Sequence, residues 1–198
     1  MDKIICVGKN YLKHAQELGD ALNEEPLYFF KPPSVLLVVE AGETKLDLPK
    51  NAEIHYELEL VFKISEVDDH LAFTHYTFGL DLTNRELQTR LKKAGQPWEK
   101  AKVFKNSAII GSWTPIYIMK DVLDLTFELE VNGQVKQKGQ GRDMRWSPET
   151  LLKDVQKWFP LESGDIMFTG TPEGVGPIHS GDEMNITGGP VTFSLKVN

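Results

Sequence analysis

The sequence predicts an α+β fold weighted towards β, and three observations carry that prediction. Short apolar runs broken by Gly and Pro dominate the chain, as expected of many short strands. An Asn132-Gly133 pair sits between two alternating segments, where a two-residue hairpin turn needs positive φ twice. Only three stretches carry helix start and stop chemistry, and they do not alternate with the strands as βαβ units would.

In chain order, strands are expected at 3–7, 27–30, 34–39, 54–64, 77–82, 125–131, 135–138, 166–168, 183–187 and 191–197. A helix over 11–18 follows the Gly8-Lys9-Asn10 loop and meets Gly19, a natural left-handed cap. A second spans 83–93: Thr83-x-x-Glu86 reads as a capping box, Lys92 and Lys93 suit the negative end, and Gly95 and Pro97 stop it. The third opens at Ser147-Pro148 and lines one face with Leu151, Leu152, Val155, Trp158 and Phe159. A second hairpin is expected at Gly188-Gly189. No repeat or linker divides the chain, so one domain over 1–198 is expected.

Composition narrows the function classes. The 198 residues carry 22 Lys plus Arg against 29 Asp plus Glu, a net charge of −7, which argues against nucleic acid or an anionic membrane as partner. At 40% hydrophobic and 26% charged, the chain reads as soluble and globular. The lone Cys6 makes no internal disulfide, and with no long apolar segment or secretory leader a cytoplasmic location is expected.

Several residues invite chemistry. In Tyr56-Glu57-Leu58-Glu59-Leu60, an extended strand turns both carboxylates to one face. Buried side by side, such a pair wants a cation or a shared proton. The stretch around Glu128 and Glu130 alternates in the same way and reads as an ordinary strand with a solvated face. A third acid distinguishes the first stretch, because Asp81 ends the 77–82 strand immediately before the capped helix. Three carboxylates without Cys or His form a hard-oxygen set for Mg²⁺ or Mn²⁺, although Asp81 also fits a turn position. His14 and Glu17, three apart, share a helix face, as a surface pair or as an imidazole general base oriented by a carboxylate. Lys102 is one of several lysines that reads as solvated, or as a charge that stabilises an enolate beside a metal. The loop Thr169-Gly170-Thr171-Pro172-Glu173-Gly174 lacks phosphate-loop spacing; it is a tight turn, or a cradle in which the Thr171 hydroxyl and nearby amides hold a small anion.

These residues, taken in order, resemble the fumarylacetoacetate hydrolase family, in particular its short bacterial members and the acylpyruvase-like branch. The resemblance rests on Ile5-Cys6-Val7-Gly8-Lys9-Asn10-Tyr11 with His14 and Glu17, on Phe30-Lys31-Pro32-Pro33, and on His55-Tyr56-Glu57-Leu58-Glu59. It continues through Leu80-Asp81-Leu82-Thr83-Asn84-Arg85-Glu86-Leu87-Gln88, Gly95-Gln96-Pro97-Trp98 with Lys102, and the 164–177 segment. Two stretches depart from the family pattern, Ala108-Ile109-Ile110-Gly111 and the residues around Gln140 and Gly141.

The resemblance implies a mixed β-sheet roll, a homodimer, and Mg²⁺ or Mn²⁺ bound by Glu57, Glu59 and Asp81. It makes His14 and Glu17 the water-activating pair and Lys102 the active-site lysine, with Arg85, Gln88, Thr171 and Lys31 contacting the substrate carboxylate. The activity it implies is metal-dependent hydrolysis of a carbon–carbon bond in an acylpyruvate or related β-diketo acid. Oxaloacetate decarboxylation and dienoate isomerisation or tautomerisation are alternatives on the same site, since each needs a stabilised enolate. A metal-binding β-rich interaction module is the non-enzymatic alternative.

Overall fold

The computed structural model describes residues 1–12, 24–40 and 42–198. Its largest sheet has eight strands. Along it run β2 (Leu27–Lys31), β1 (Ile4–Gly8), β13 (Ile166–Phe168), β6 (Leu58–Val67), β7 (His70–Asp81), β9 (Ala108–Ile110) and β3 (Leu36–Val38), and β10 (Thr114–Pro115) pairs with β7 at its side. β1 lies parallel to β13 and antiparallel to β2, so the sheet is mixed. A five-stranded sheet has the order β12 (Gln134–Gln140), β11 (Thr126–Val131), β15 (Glu183–Gly188), β16 (Val191–Val197), β4 (Glu43–Leu46). A small third sheet joins β14 (Gly176–Pro177), β5 (Ile54–Tyr56) and β8 (Thr83–Asn84). Among the described residues the helices of four residues or more are α1 (Arg85–Lys93), α2 (Glu99–Lys102), α3 (Met119–Leu123) and α4 (Pro148–Trp158).

Strand alternation gives the large sheet two faces. On one, Leu58, Leu60, Phe62, Phe78 and Leu80 pack against Phe127, Leu129, Met184, Ile186, Phe193 and Leu195 of the five-stranded sheet. Further along this face, Ile5, Val7 and Met167 meet Leu151, Leu152 and Val155 of α4. The other face carries Ile4, Cys6, Val61, Ala108, Ile110 and Phe168. The registers Glu59↔Gly79, Asp81↔Ala108 and Ile4↔Lys31 set Glu59, Asp81 and Lys31 on this second face, beside its apolar floor.

The mainly β, mixed-sheet architecture is the one expected, and the differences from expectation are local. The 54–64 strand is broken at Glu57, because the Leu58 N–H is taken by the Gln137 carboxamide and β5 pairs into the third sheet. The 77–82 strand is the end of a twelve-residue β7, joined to β6 through Asp68 and Asp69 at φ 50° and 62°. Asp tolerates that left-handed pair, but less distinctively than Asn-Gly. The 34–39 strand starts as a 3₁₀ turn, Pro33–Val35, and only Leu36–Val38 pairs.

The capping box is not formed. Asn84 caps α1 by accepting from the Leu87 N–H at 3.1 Å, while Thr83 belongs to β8. The Gly188-Gly189 turn is shifted by one residue: Gly188 pairs with Val191, so Gly189 (φ 52°) and Pro190 make the bend. Asn132 and Gly133, at φ 52° and 73°, form the hairpin expected of them. Ser147 caps α4 as expected, but Trp158 is 64% exposed and does not join its buried face. Beyond Leu12, the helix expected over 11–18 lies outside the described residues.

Candidate metal centre

Glu57, Glu59 and Asp81 come together at the edge of the second face, each offering an oxygen within 4.8 Å of the others, and all three are buried. The Asp81 N–H donates to the Glu57 carbonyl at 2.9 Å, so the break before β6 still holds Glu57 against the end of β7. Glu59 is anchored by Gly170, whose N–H donates to Oε2 at 2.7 Å. Gly170 has φ 97°, and a Cβ there would lie 2.8 Å from that of Asn10, so both conformation and space call for glycine.

Three cations surround the three acids. Lys102, the last residue of α2, donates to Glu57 Oε2 at 2.9 Å and to Asp81 Oδ2 at 2.6 Å, with its ammonium 4.9 Å above the Phe29 ring. Arg85, the first residue of α1, reaches Glu57 Oε1 at 2.6 Å and Gln88 Oε1 at 2.8 Å. The Thr83 hydroxyl gives Glu57 Oε1 a further bond at 2.9 Å. Lys31 places its ammonium 2.5 Å from Asp81 Oδ1.

Burial pushes the Glu59 carboxyl well above the ordinary carboxylate range, and the Asp81 and Glu57 charges push it the same way. For Lys102 burial works against the charge, but Asp81 and Glu57 outweigh it and hold the ammonium above the usual lysine range. Lys102 is therefore a fixed charge and a donor, unsuited to act as a base near neutral pH.

The donor set fits a hard divalent cation. It is all oxygen, three carboxylates, and the group that binds it would lower the repulsion that now favours a proton on Glu59. The cavity above it has a volume of about 40 Å³. Its walls add Val7, Gly8 and Lys9 from the end of β1, with Phe29, Gln88, Lys92, Trp98 and Thr171.

Of the residues singled out from sequence, Glu57, Glu59, Asp81, Lys102, Arg85, Gln88 and Thr171 share this cavity. Lys31 does not line it; its ammonium is turned beneath Asp81 and also donates to the Leu82 and Ser107 carbonyls at 3.2 and 2.5 Å. The Thr171 hydroxyl spends its proton on the Leu58 carbonyl at 2.9 Å and accepts from Gln137 at 2.8 Å, so in this arrangement it has no proton for an anion. His14 and Glu17 lie outside the described residues. Glu128, from the strand with the same alternation, pairs with Lys138 across the hairpin and belongs to no cluster among the described residues.

Two supporting residues escape a reading of the sequence. Gln137 is buried and ties the Glu57–Glu59 strand to the glycine loop; in Gln134-Val135-Lys136-Gln137-Lys138 nothing marks it. Asn10, fully buried, donates to the Thr169 and Trp146 carbonyls at 2.9 and 3.1 Å and accepts from the Trp146 N–H. A polar residue directly after Gly8-Lys9, with Lys9 at φ 60°, is its available signal.

Comparison with known proteins agrees with this geometry. The chain is 40% identical over 196 residues to the oxaloacetate tautomerase YcgM of Escherichia coli strain K12, covering 94% of this chain and 88% of that one. It is 35% identical over 195 residues to the mitochondrial oxaloacetate decarboxylase of Dictyostelium discoideum, covering 94% and 89%. A crystal structure of fumarylpyruvate hydrolase from Pseudomonas aeruginosa, in complex with Mn²⁺ and pyruvate, superimposes with a TM-score of 0.90 at 32% identity, covering 100% of this chain and 91% of that one. A model of the fumarylacetoacetate (FAA) hydrolase C-terminal domain matches residues 3–193, and the chain belongs to that family.

Proposed function

We propose that the protein is a Mg²⁺- or Mn²⁺-dependent enzyme that interconverts the keto and enol forms of oxaloacetate or a close 2-oxo diacid, and that it supports decarboxylation by stabilising, on the same 2-oxo oxygen, the enolate that loss of carbon dioxide leaves. The observation that carries this is the charge balance: three buried carboxylates face three cations, Lys31, Lys102 and Arg85. A divalent ion added to that set leaves an excess of positive charge, which Lys9 and Lys92 on the same wall increase, and such a site suits an anionic substrate. The relatives named for oxaloacetate chemistry favour this alternative over acylpyruvate hydrolysis as the leading reading.

When bound, the ion would be held by Glu57, Glu59 and Asp81 and would polarise the 2-oxo group as a Lewis acid. Arg85 and Gln88 orient a carboxylate through paired donors. Lys102, held charged, offers a hydrogen bond and a positive charge to the oxygen on which the enolate develops. His14, with Glu17 as its partner, would take the proton from the carbon beside the 2-oxo group and deliver it to the enolate oxygen, or carry it back the other way, so that keto and enol interconvert with no proton gained or lost and no water consumed. A second reading, hydrolysis of an acylpyruvate, is favoured by the similarity to a fumarylpyruvate hydrolase and would use the same pair to deprotonate water. The homodimer belongs to the same proposal and is read by light scattering.

The test is a parallel assay of metal-loaded protein. Decay of the enol absorbance of oxaloacetate, pyruvate formation and acetylpyruvate cleavage are measured with and without EDTA. The acceleration of enol decay over a protein-free control should be the largest of the three, be lost with EDTA and return with Mg²⁺ or Mn²⁺. Faster acetylpyruvate cleavage would overturn this reading in favour of the hydrolase.

A further inference from the structure

We infer that Lys31 is a positioning residue that makes the carboxylate cluster selective for Mg²⁺ or Mn²⁺ over Ca²⁺, by sealing one oxygen of Asp81 away from the cavity. The inference rests on the metal reading above and concerns a residue outside the cavity wall.

The two oxygens of Asp81 lie in different surroundings. Oδ2 is beside Lys102, a cavity residue, at 2.6 Å. Oδ1 has no surface open to solvent and lies 2.5 Å from the Lys31 ammonium, in an ionic contact off the line of a directed hydrogen bond. Lys31 cannot drift, since its side chain is fully buried and its ammonium is also bonded to the Leu82 and Ser107 carbonyls. Those carbonyls belong to the residues just after β7 and just before β9, so the backbone on both sides of Asp81 fixes the lysine. A carboxylate held this way presents a single oxygen and cannot rotate to present both.

That restriction discriminates between ions. Ca²⁺ takes six to eight oxygens in flexible geometry and readily uses both oxygens of one carboxylate, whereas Mg²⁺ takes six at short distance in a near-octahedral arrangement. Denying the cluster a two-oxygen aspartate therefore penalises Ca²⁺ and leaves Mg²⁺ and Mn²⁺ little affected. Removing the ammonium while keeping the volume frees Oδ1 to turn towards the ion.

The experiment is displacement of Mn²⁺ from the folded, metal-stripped protein, detected by the paramagnetic resonance of released Mn²⁺, with Mg²⁺ or Ca²⁺ as competitor. In Lys31→Met the ratio of the Ca²⁺ to the Mg²⁺ dissociation constant should fall by about tenfold or more, in line with the loss of a partner that orients a ligand. Lys31→Arg, which keeps a cation under Oδ1, should stay close to the wild-type ratio. Where Lys31→Met does not fold, Lys31→Gln carries the same expectation and retains a donor for Ser107. Equal weakening of every ion, with the ratio unchanged, would reduce Lys31 to a structural residue and overturn the inference. Failure of the wild-type protein to bind Mn²⁺ at all would overturn the metal reading instead.

Discussion

The Gln137 carboxamide donates to the Thr171 hydroxyl at 2.8 Å, to the Pro172 carbonyl at 2.9 Å, and accepts from the Leu58 N–H at 2.8 Å, so one side chain joins the carboxylate strand to the glycine loop. Both ends of the amide are used. Gln137→Ala leaves the buried Leu58 N–H unpaired, a loss of about 1–3 kcal/mol. For a chain of this size that corresponds to roughly 2–12 °C in Tm, measurable by calorimetry. An unchanged Tm would show that water replaces the amide.

Binding of the ion should release a proton. Burial first, then Asp81 and Glu57, raise the Glu59 pKa, so in the metal-free protein Glu59 holds its proton above the ordinary carboxylate range. Because the raised folded pKa favours the protonated form, the Glu59 contribution to metal-free stability is complete below the unfolded pKa and is lost as pH rises through the folded one. Metal affinity runs the opposite way and should rise with pH over that window. Titration calorimetry of Mn²⁺ in buffers of different ionisation enthalpy reads the release, which Glu59→Gln should abolish together with most of the affinity.

Acid should unfold the protein in part through Asp165. Burial alone would raise its pKa, but the backbone N–H groups of Glu162, Asp2 and Lys3 and the Lys3 ammonium lower it below the usual value. A depressed folded pKa gives stability that is present above the unfolded value of about 3.9 and lost as pH falls through the folded one. The wild-type Tm should therefore fall steeply below about pH 4. Asp165→Asn should melt lower at pH 7 and show a shallower fall in acid.

Gly79→Ala should be among the most damaging single changes. The added Cβ would lie 2.3 Å from the Ile109 carbonyl, a backbone atom of the neighbouring strand that cannot swing aside. Forcing β9 away from β7 would shift Ala108 from Asp81 and disturb Ser107 under Lys31. A loss of about 3 kcal/mol is expected from overpacking at this site, checked by urea denaturation.

The strands and the acidic cluster were readable because each has a short-range signature. Alternation marked Glu57 and Glu59, and a carboxylate at a strand end before a helix marked Asp81. The break at Glu57 was not readable, since it depends on Gln137, a residue far along the chain whose neighbours are all polar or exposed. Thr83 misled for a related reason: its spacing to Glu86 suits a cap, yet the hydroxyl gains more by bonding the buried Glu57 carboxylate. Lys31 carried the family's motif, but sequence could not show that Asp81, Leu82 and Ser107 would consume its ammonium away from the cavity.

The parallel pairing of β1 with β13 has a consequence for biosynthesis. Ile4 finds its partner in Ile166, and the bonds from Asp2 and Lys3 to Asp165 span 163 and 162 positions. At ribosomal speeds of about 5–20 residues per second, the apolar Ile4-Ile5-Cys6-Val7 segment waits about 8–32 s for that neighbour to emerge. Through that interval the edge of β1 not covered by β2 is open to wrong partners, and a chaperone that shields the amino-terminal segment should raise the yield of native protein more than one acting after release.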